Sequence, residues 1–186
     1  VFLQYVFFMQ WERIKRYANH LGIKILGDIS IYISLDSSDV WANRKFFQFD
    51  ETGKPIAVSG TPPDYFCSDG QLWGNPLYDF ETMSQNNYDW WVKRVKHAEK
   101  FFNAVRLDHF SGFVNYWSVP YGSKKSKNRH WVKGPGMEIL NQIKNKCNID
   151  IVLEDLGFIS DEVLAVKNKT GYPGLKIMQY GFDHGY

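Results

Sequence analysis

Four short apolar runs dominate the sequence, at residues 23–33 (IKILGDISIYI), 104–108 (AVRLD), 149–155 (IDIVLED) and 174–182 (GLKIMQYGF). Helical spacing precedes each of them. Leu3, Phe7, Trp11, Ile14, Ala18 and Leu21 share one helical face ahead of the first run. Tyr88, Trp91, Val95, Ala98 and Phe102 do so ahead of the second, and Ile139, Leu140, Ile143 and Cys147 ahead of the third. Ahead of the fourth, Ser160 stands as a helix N-cap, acids follow in the first turn, and Gly171 lies just past the end. Near-continuous apolar strands alternating with helices require a parallel sheet covered by helices. Two architectures satisfy this, part of a doubly wound sheet or part of a (β/α)8 barrel. No G-x-G-x-x-G follows a strand, so a dinucleotide site is not supported.

Between the first two strands, residues 34–87 read as loop-rich. FFQFDETGKPIAVSG reads as a hairpin turning at Asp50 to Gly53. GTPPDYFCSDGQLWGNPLY, rich in Gly and Pro, reads as a loop, and so does the stretch from Asp108 to Gly136. Gly27 reads as a break in the first strand. The chain opens on Val1 with a short apolar start but no basic leading region and no small-residue cleavage site, so it reads as an internal piece of a longer protein.

Polar residues recur at the strand ends: Asp28 on the first, Arg106 and Asp108 on the second, Glu154 and Asp155 on the third. Side chains alternate along a strand, so Arg106 and Asp108 share a face while Val105 and Leu107 take the other. A guanidinium beside a carboxylate favours its charged form, which suits a nucleophile or a charge stabiliser. Glu154 ends an apolar strand, where partial burial favours the protonated acid. Two carboxylates in unlike environments are what glycoside chemistry requires, with a gap of about 5 Å for the retaining route. An ordinary salt bridge between Arg106 and an acid explains the same residues.

Composition narrows the alternatives. A net charge of +2 leaves no electrostatic footprint for nucleic acid or an anionic membrane. No stretch is long and apolar enough to span a bilayer. Cys67 and Cys147 match no metal spacing and suit a reduced, cytosolic protein. The five histidines form no ligand-spaced cluster, which ranks a metal-binding α/β protein low. Aromatics make up 17% of the chain, and several sit on loops beside Gly, Pro, Asp and Asn, among them Tyr65, Trp73 and Tyr121. Such rings suit a ligand with apolar faces and polar edges, as sugars have.

GDISIYI, DSSDVWAN, GTPPDYFCSDGQLWGNPLY, VRLDHFSGF, WVKGPG and EDLG together resemble the 4-α-glucanotransferases, the amylomaltases or disproportionating enzymes related to the α-amylases. The PPDYF…GQLWGNPLY segment carries the specificity, whereas VRLDH and EDLG belong to the wider α-amylase group. The resemblance implies a (β/α)8 barrel seen from about strand three to strand six. Residues 1–186 would be an internal segment of that one catalytic domain, and residues 34–87 an insertion forming part of the cleft.

It further implies Asp108 as the nucleophile and Glu154 as the general acid/base. Arg106, Asp28, Asp64, Tyr65, Trp73, Asn75 and His109 would contact substrate or the nucleophile, with Tyr65 and Phe66 on a loop arching over the cleft. It implies maltooligosaccharides and α-1,4-glucans as partners, and no cofactor. Three departures stand out. The family's third catalytic carboxylate, in a His-Asp motif, would fall beyond Tyr186, and FDHGY is not that motif. Ser30 stands where the family usually has Pro, and SKKSKNRHW is more basic than the family's loop. An α-amylase-type hydrolase and a glucan-binding module are the remaining alternatives.

Overall fold

The computed structural model describes residues 1–63, 67–126, 129–157 and 159–182. In chain order its elements are α1 (Phe2–His20), β1 (Leu26–Ile29), α2 (Ser38–Ala42), β2 (Ala57–Thr61), β3 (Gln71–Pro76) and α3 (Phe80–Ser84). There follow α4 (Asp89–Glu99), β4 (Ala104–Leu107), β5 (Asn115–Pro120), β6 (His130–Lys133), α5 (Met137–Lys146), β7 (Asp150–Leu153) and α6 (Asp161–Thr170). Short 3-10 turns cover Arg44–Phe46, Phe110–Phe113 and Met178–Phe182.

The parallel sheet has the order β1-β4-β7, with Leu26 opposite Ala104, Asp28 opposite Arg106 and Leu107 opposite Leu153. Each successive strand is added on the same side. That order suits part of a (β/α) barrel, and it is also the order within one half of a doubly wound sheet, which reverses only at its switch point. The expected fourth strand, 174–182, is reduced to a parallel bridge between Leu153 and Gly174, followed by the 3-10 turn. The Leu153 N–H nevertheless donates to Pro173 O (2.9 Å), which continues the ladder in the same direction.

The first strand is also shorter than its apolar run, because residues 31–33 leave the ladder and Ile31 and Tyr32 enter the core. Gly27 does not break it. Gly27 pairs with Val105, and a Cβ there would stand 2.2 Å from the Phe102 ring. The glycine admits that ring.

In a second, antiparallel sheet of order β3-β2-β5-β6, β2 continues an arm of the expected hairpin, and β3, β5 and β6 come from stretches that read as loops. Of these, β5 and β3 hide from pattern reading for opposite reasons. Residues Tyr116 to Val119 of β5 are buried on both faces, and β3 is exposed along four residues and contains Gly74 and Pro76. The turn at Asp50 to Gly53 forms as expected. Asp50 Oδ1 accepts from Thr52 N, Thr52 Oγ1 and Lys54 N, and Gly53 takes φ +82°.

The core lies between the parallel sheet and its helices. Trp91, Val95, Leu107, Phe110, Phe113, Ile139, Ile143 and Leu153 are buried in one cluster. Trp91 meets Phe113 edge-on at 4.9 Å, a favoured aromatic geometry. α6 starts at Ser160, whose Oγ accepts from Val163 N (3.4 Å), and ends at Gly171 with φ +72°. α1 forms as read, but none of its residues is buried. Trp11 Nε1 donates to Phe101 O (2.9 Å), and Lys15 Nζ donates to Glu99 O (2.8 Å) and Phe102 O (2.9 Å). These bonds fix α1 to the carbonyls at the end of α4 and just past it.

Candidate active site

The parallel ladder runs one residue beyond the strands. Asp108 N–H donates to Ile29 O (3.0 Å), and Glu154 N–H donates to Leu107 O (3.0 Å). Asp108 and Glu154 therefore leave neighbouring strands, which lie about 4.8 Å apart. Val105, Leu107, Ile151 and Leu153 are buried on the opposite face of the sheet. The alternation read from the sequence is thus the one observed.

Arg106 joins two of the rim carboxylates. Its Nη1 donates to both oxygens of Asp28 (2.9 and 2.7 Å), and its Nη2 donates to Asp108 Oδ1 (2.6 Å). The Arg106 side chain is 26% exposed, Asp108 38% and Asp28 60%. Ion pairs this open to water add little stability. Their effect is to hold the Asp108 carboxylate in one orientation.

Glu154 sits in a different environment. Burial raises its pKa above the ordinary glutamate value. Main-chain amides of His109 and Leu156 act against this, the Asp108 charge adds to it, and Arg106 opposes it. His109 N donates to Oε2 (2.8 Å) and Leu156 N to Oε1 (3.1 Å). One rim carboxylate is clamped by a cation in the open, and its neighbour is pushed toward the protonated form. A nucleophile and a proton donor need those two states.

Asp155 turns away from this arrangement. It pairs with Lys167 and accepts from Leu175 N (2.7 Å). Burial works to raise its pKa, but Lys167 and the Leu175 amide outweigh it and hold the carboxyl below the ordinary range. A Cβ on Gly174 would overlap the Asp155 carboxylate. Asp155 pins the chain after α6 to the end of β7.

Aromatic rings pack beside His109, the residue that follows Asp108. The Trp73 indole, 37% exposed, meets the His109 ring edge-on at 4.9 Å and 87°, and Nε1 donates to Gln71 Oε1 (3.1 Å). Tyr32 lies 6.1 Å from Trp73. Burial lowers the His109 pKa to about 4, with Asp108 opposing, so the ring is neutral at physiological pH. Asn75 is on β3 two residues beyond Trp73, and its Oδ1 accepts from Ser59 Oγ (3.4 Å).

The structure thus brings together Asp28, Arg106, Asp108, His109, Glu154 and Trp73. Asp64, Tyr65 and Phe66 lie outside the described residues, as do Asp183 and His184. Sequence reasoning missed Tyr32 and the Leu156 amide. Tyr32 was hidden in an apolar run, and a main-chain donor carries no residue-type signal. Two clefts, of about 320 Å³ beside Trp41 and Tyr121 and about 330 Å³ beside Lys144 and Tyr172, lie away from the carboxylates. Among the described residues no group of three or more His, Cys, Asp or Glu could hold a metal ion. No helix among them is long and apolar enough to cross a membrane.

Comparison with known proteins extends this picture. A family model described as 4-alpha-glucanotransferase matches residues 1–186. A 4-alpha-glucanotransferase of Clostridium butyricum is 52% identical over 183 residues, which are 97% of this chain and 38% of that protein. One from Streptococcus pneumoniae serotype 4 is 46% identical over 97% of this chain and 36% of its own length. Among solved structures, the amylomaltase from Streptococcus agalactiae in complex with acarbose matches with a TM-score of 0.91 and 40% identity, over 96% of this chain and 36% of that one. The chain spans well under half the length of the relatives it matches.

Proposed function

The chain belongs to the 4-alpha-glucanotransferase family, and on that footing we propose that the intact protein transfers α-1,4-glucan segments between maltooligosaccharides with retention. Asp108 attacks the anomeric carbon of the donor. Glu154 gives its proton to the glycosidic oxygen as that C–O bond breaks. The product is a glycosyl ester on Asp108 and a free sugar hydroxyl. The acceptor's hydroxyl then loses its proton to Glu154 and displaces Asp108, forming a new glycosidic bond and returning both carboxyls to their starting states.

Arg106 keeps the attacking carboxylate oriented, and Asp28 shares that guanidinium and faces the same sugar. Trp73 stacks against a sugar ring, while Asn75 and His109 line the groove. Acarbose, bound in the Streptococcus agalactiae amylomaltase, is expected to occupy this groove. We read the parallel strands as about the third to sixth of a (β/α)8 barrel, with residues 34–87 lining part of the cleft. We place the protein in the cytosol, where Cys67 and Cys147 stay reduced.

One observation carries the reading. Two carboxyls at adjoining strand ends are held in opposite environments, Asp108 by Arg106 and Glu154 by burial. The test is to incubate the intact protein with maltotriose and resolve the products. Glucose together with a ladder of longer maltooligosaccharides is expected. Shorter sugars alone would make the protein a hydrolase. Unchanged maltotriose would remove the roles given to Asp108 and Glu154 and favour a glucan-binding module.

A further inference from the structure

Two strands in parallel register follow a fixed bonding order, in which each rung uses amides two residues apart. With Leu107 opposite Leu153, the last rung observed is Glu154 N–H to Leu107 O. The next rung would send the His109 amide to the main-chain oxygen of Glu154, and the Leu156 amide to the main-chain oxygen of His109. Neither forms. Both amides are diverted to the Glu154 side chain, His109 N to Oε2 (2.8 Å) and Leu156 N to Oε1 (3.1 Å).

The backbone of His109 accounts for the Leu156 half of this lost rung. It adopts the left-handed region, φ +48° and ψ +44°, which non-glycine residues seldom enter. This turns the chain out of the strand. The His109 carbonyl is taken by Gly112 N (3.0 Å) at the start of the 3-10 turn, so the Leu156 amide is left for the carboxylate. The same residue buries its ring edge-on against Trp73. Gly112 makes room, since a Cβ there would approach His109 Cδ2 to 3.3 Å and Ile31 Cδ1 to 2.8 Å.

We infer that His109 is a positioning residue: its left-handed main chain redirects the missing ladder rung onto the Glu154 carboxyl, and its ring fixes the plane of Trp73. One residue thereby sets the proton donor and the sugar-stacking surface relative to each other. This deepens the transferase reading and rests on it for its consequence in catalysis. The charged groups acting on Glu154 are Asp108 and Arg106, and the His109 ring, held neutral above about pH 5, adds no charge there.

The test uses His109→Gly and His109→Val in the intact protein. Glycine accepts the left-handed region freely, while a β-branched residue resists it. Two readouts are taken: the basic limb of the pH profile of kcat/KM, and the titration of the Glu154 carboxyl by 13C NMR. In H109G the basic limb is expected to stay in place, while KM for maltotriose rises several-fold because Trp73 loses its neighbour. In H109V an extended backbone at residue 109 returns its carbonyl to the Leu156 amide, which withdraws from the carboxylate, and both readouts are expected to move up by about one pH unit. If H109V does not fold, His109→Ala gives the same comparison. An unmoved titration in the folded Val or Ala variant overturns the inference, and so does an equal shift in H109G. A wild-type protein that makes no transfer products overturns the transferase reading alone, because the NMR titration still decides this one.

Discussion

Arg106 reaches Asp108 with one guanidinium nitrogen, at 2.6 Å, while the other grips both oxygens of Asp28. A lysine has the charge but not the fork, so it cannot serve both carboxylates at once. Arg106→Lys is expected to lower kcat/KM for maltotriose by about 10²-fold through misorientation of the Asp108 carboxylate. Stability should change by less than about 1 kcal/mol, because the pairs are open to water. Steady-state kinetics and urea unfolding check the two halves, and a loss of several kcal/mol would make Arg106 a structural residue.

Adjacent acids just past β7 have opposite pH signatures. The folded pKa of Glu154 lies above its ordinary value of 4.5. Its contribution to stability is therefore complete below that value and is lost as pH rises through the folded pKa. Glu154→Gln removes that loss. The variant should melt a few degrees higher than wild type at pH 7 and lose most of the difference near pH 4, while transfer falls by about 10²–10⁴-fold. Melting curves across pH 4 to 8 decide it.

Asp155 runs the other way. Its folded pKa lies below the ordinary 3.8, so its contribution is present above that value and is lost as pH falls through the folded pKa. Asp155→Asn leaves Lys167 without its charge partner in a site only 17% exposed. A cost of about 3 kcal/mol is expected at pH 7, shrinking below about pH 4. A pH-independent cost would show that the Leu175 bond, rather than the Lys167 pair, is what was lost.

Gly27→Ala would place a methyl 2.2 Å from the Phe102 ring. Overpacking of this kind costs about 1–3 kcal/mol. Removing the obstacle with Phe102→Ala in the same chain should cancel part of the cost of G27A. Additive losses in the double variant, read from denaturant midpoints, would contradict the proposed contact.

Trp91 is fully buried against Phe113 and Tyr78. Trp91→Ala should destabilise the fold by about 3–5 kcal/mol. Chemical denaturation is the measure, and a cost under about 1 kcal/mol would mean that the core collapses around the void.

These sites differ in how far the sequence discloses them. The parallel framework was legible because each apolar run that forms a strand follows a helix of clear period, and α6 announces both its ends at Ser160 and Gly171. Arg106, Asp108 and Glu154 were legible because charges at the end of apolar runs conflict with burial unless they have a purpose. Of the antiparallel sheet only the hairpin arm that becomes β2 was legible. β5 is buried on both faces, so period-2 alternation is absent, and β3 has the Gly and Pro content of a loop. The run at 174–182 misled for the opposite reason: its apolar residues suit a strand, yet Met178 and Phe182 remain exposed and the backbone closes into a 3-10 turn. His109 could be named but not understood, because its left-handed backbone is a property of the turn and not of the residue type.

The ladder that carries Asp108 and Glu154 has a further consequence. Their α-carbons are set apart by the pitch of a parallel sheet, a length that no side-chain substitution in the surrounding helices can tune. Orientation is set by the partners Arg106, His109 and Leu156, while reach comes in whole methylenes. An aspartate on one strand and a glutamate on the next draw unequal reach from the same fixed ruler. Exchanging the two would keep charge, strand and pitch, and would still put each carboxyl a full carbon–carbon bond from where it stood.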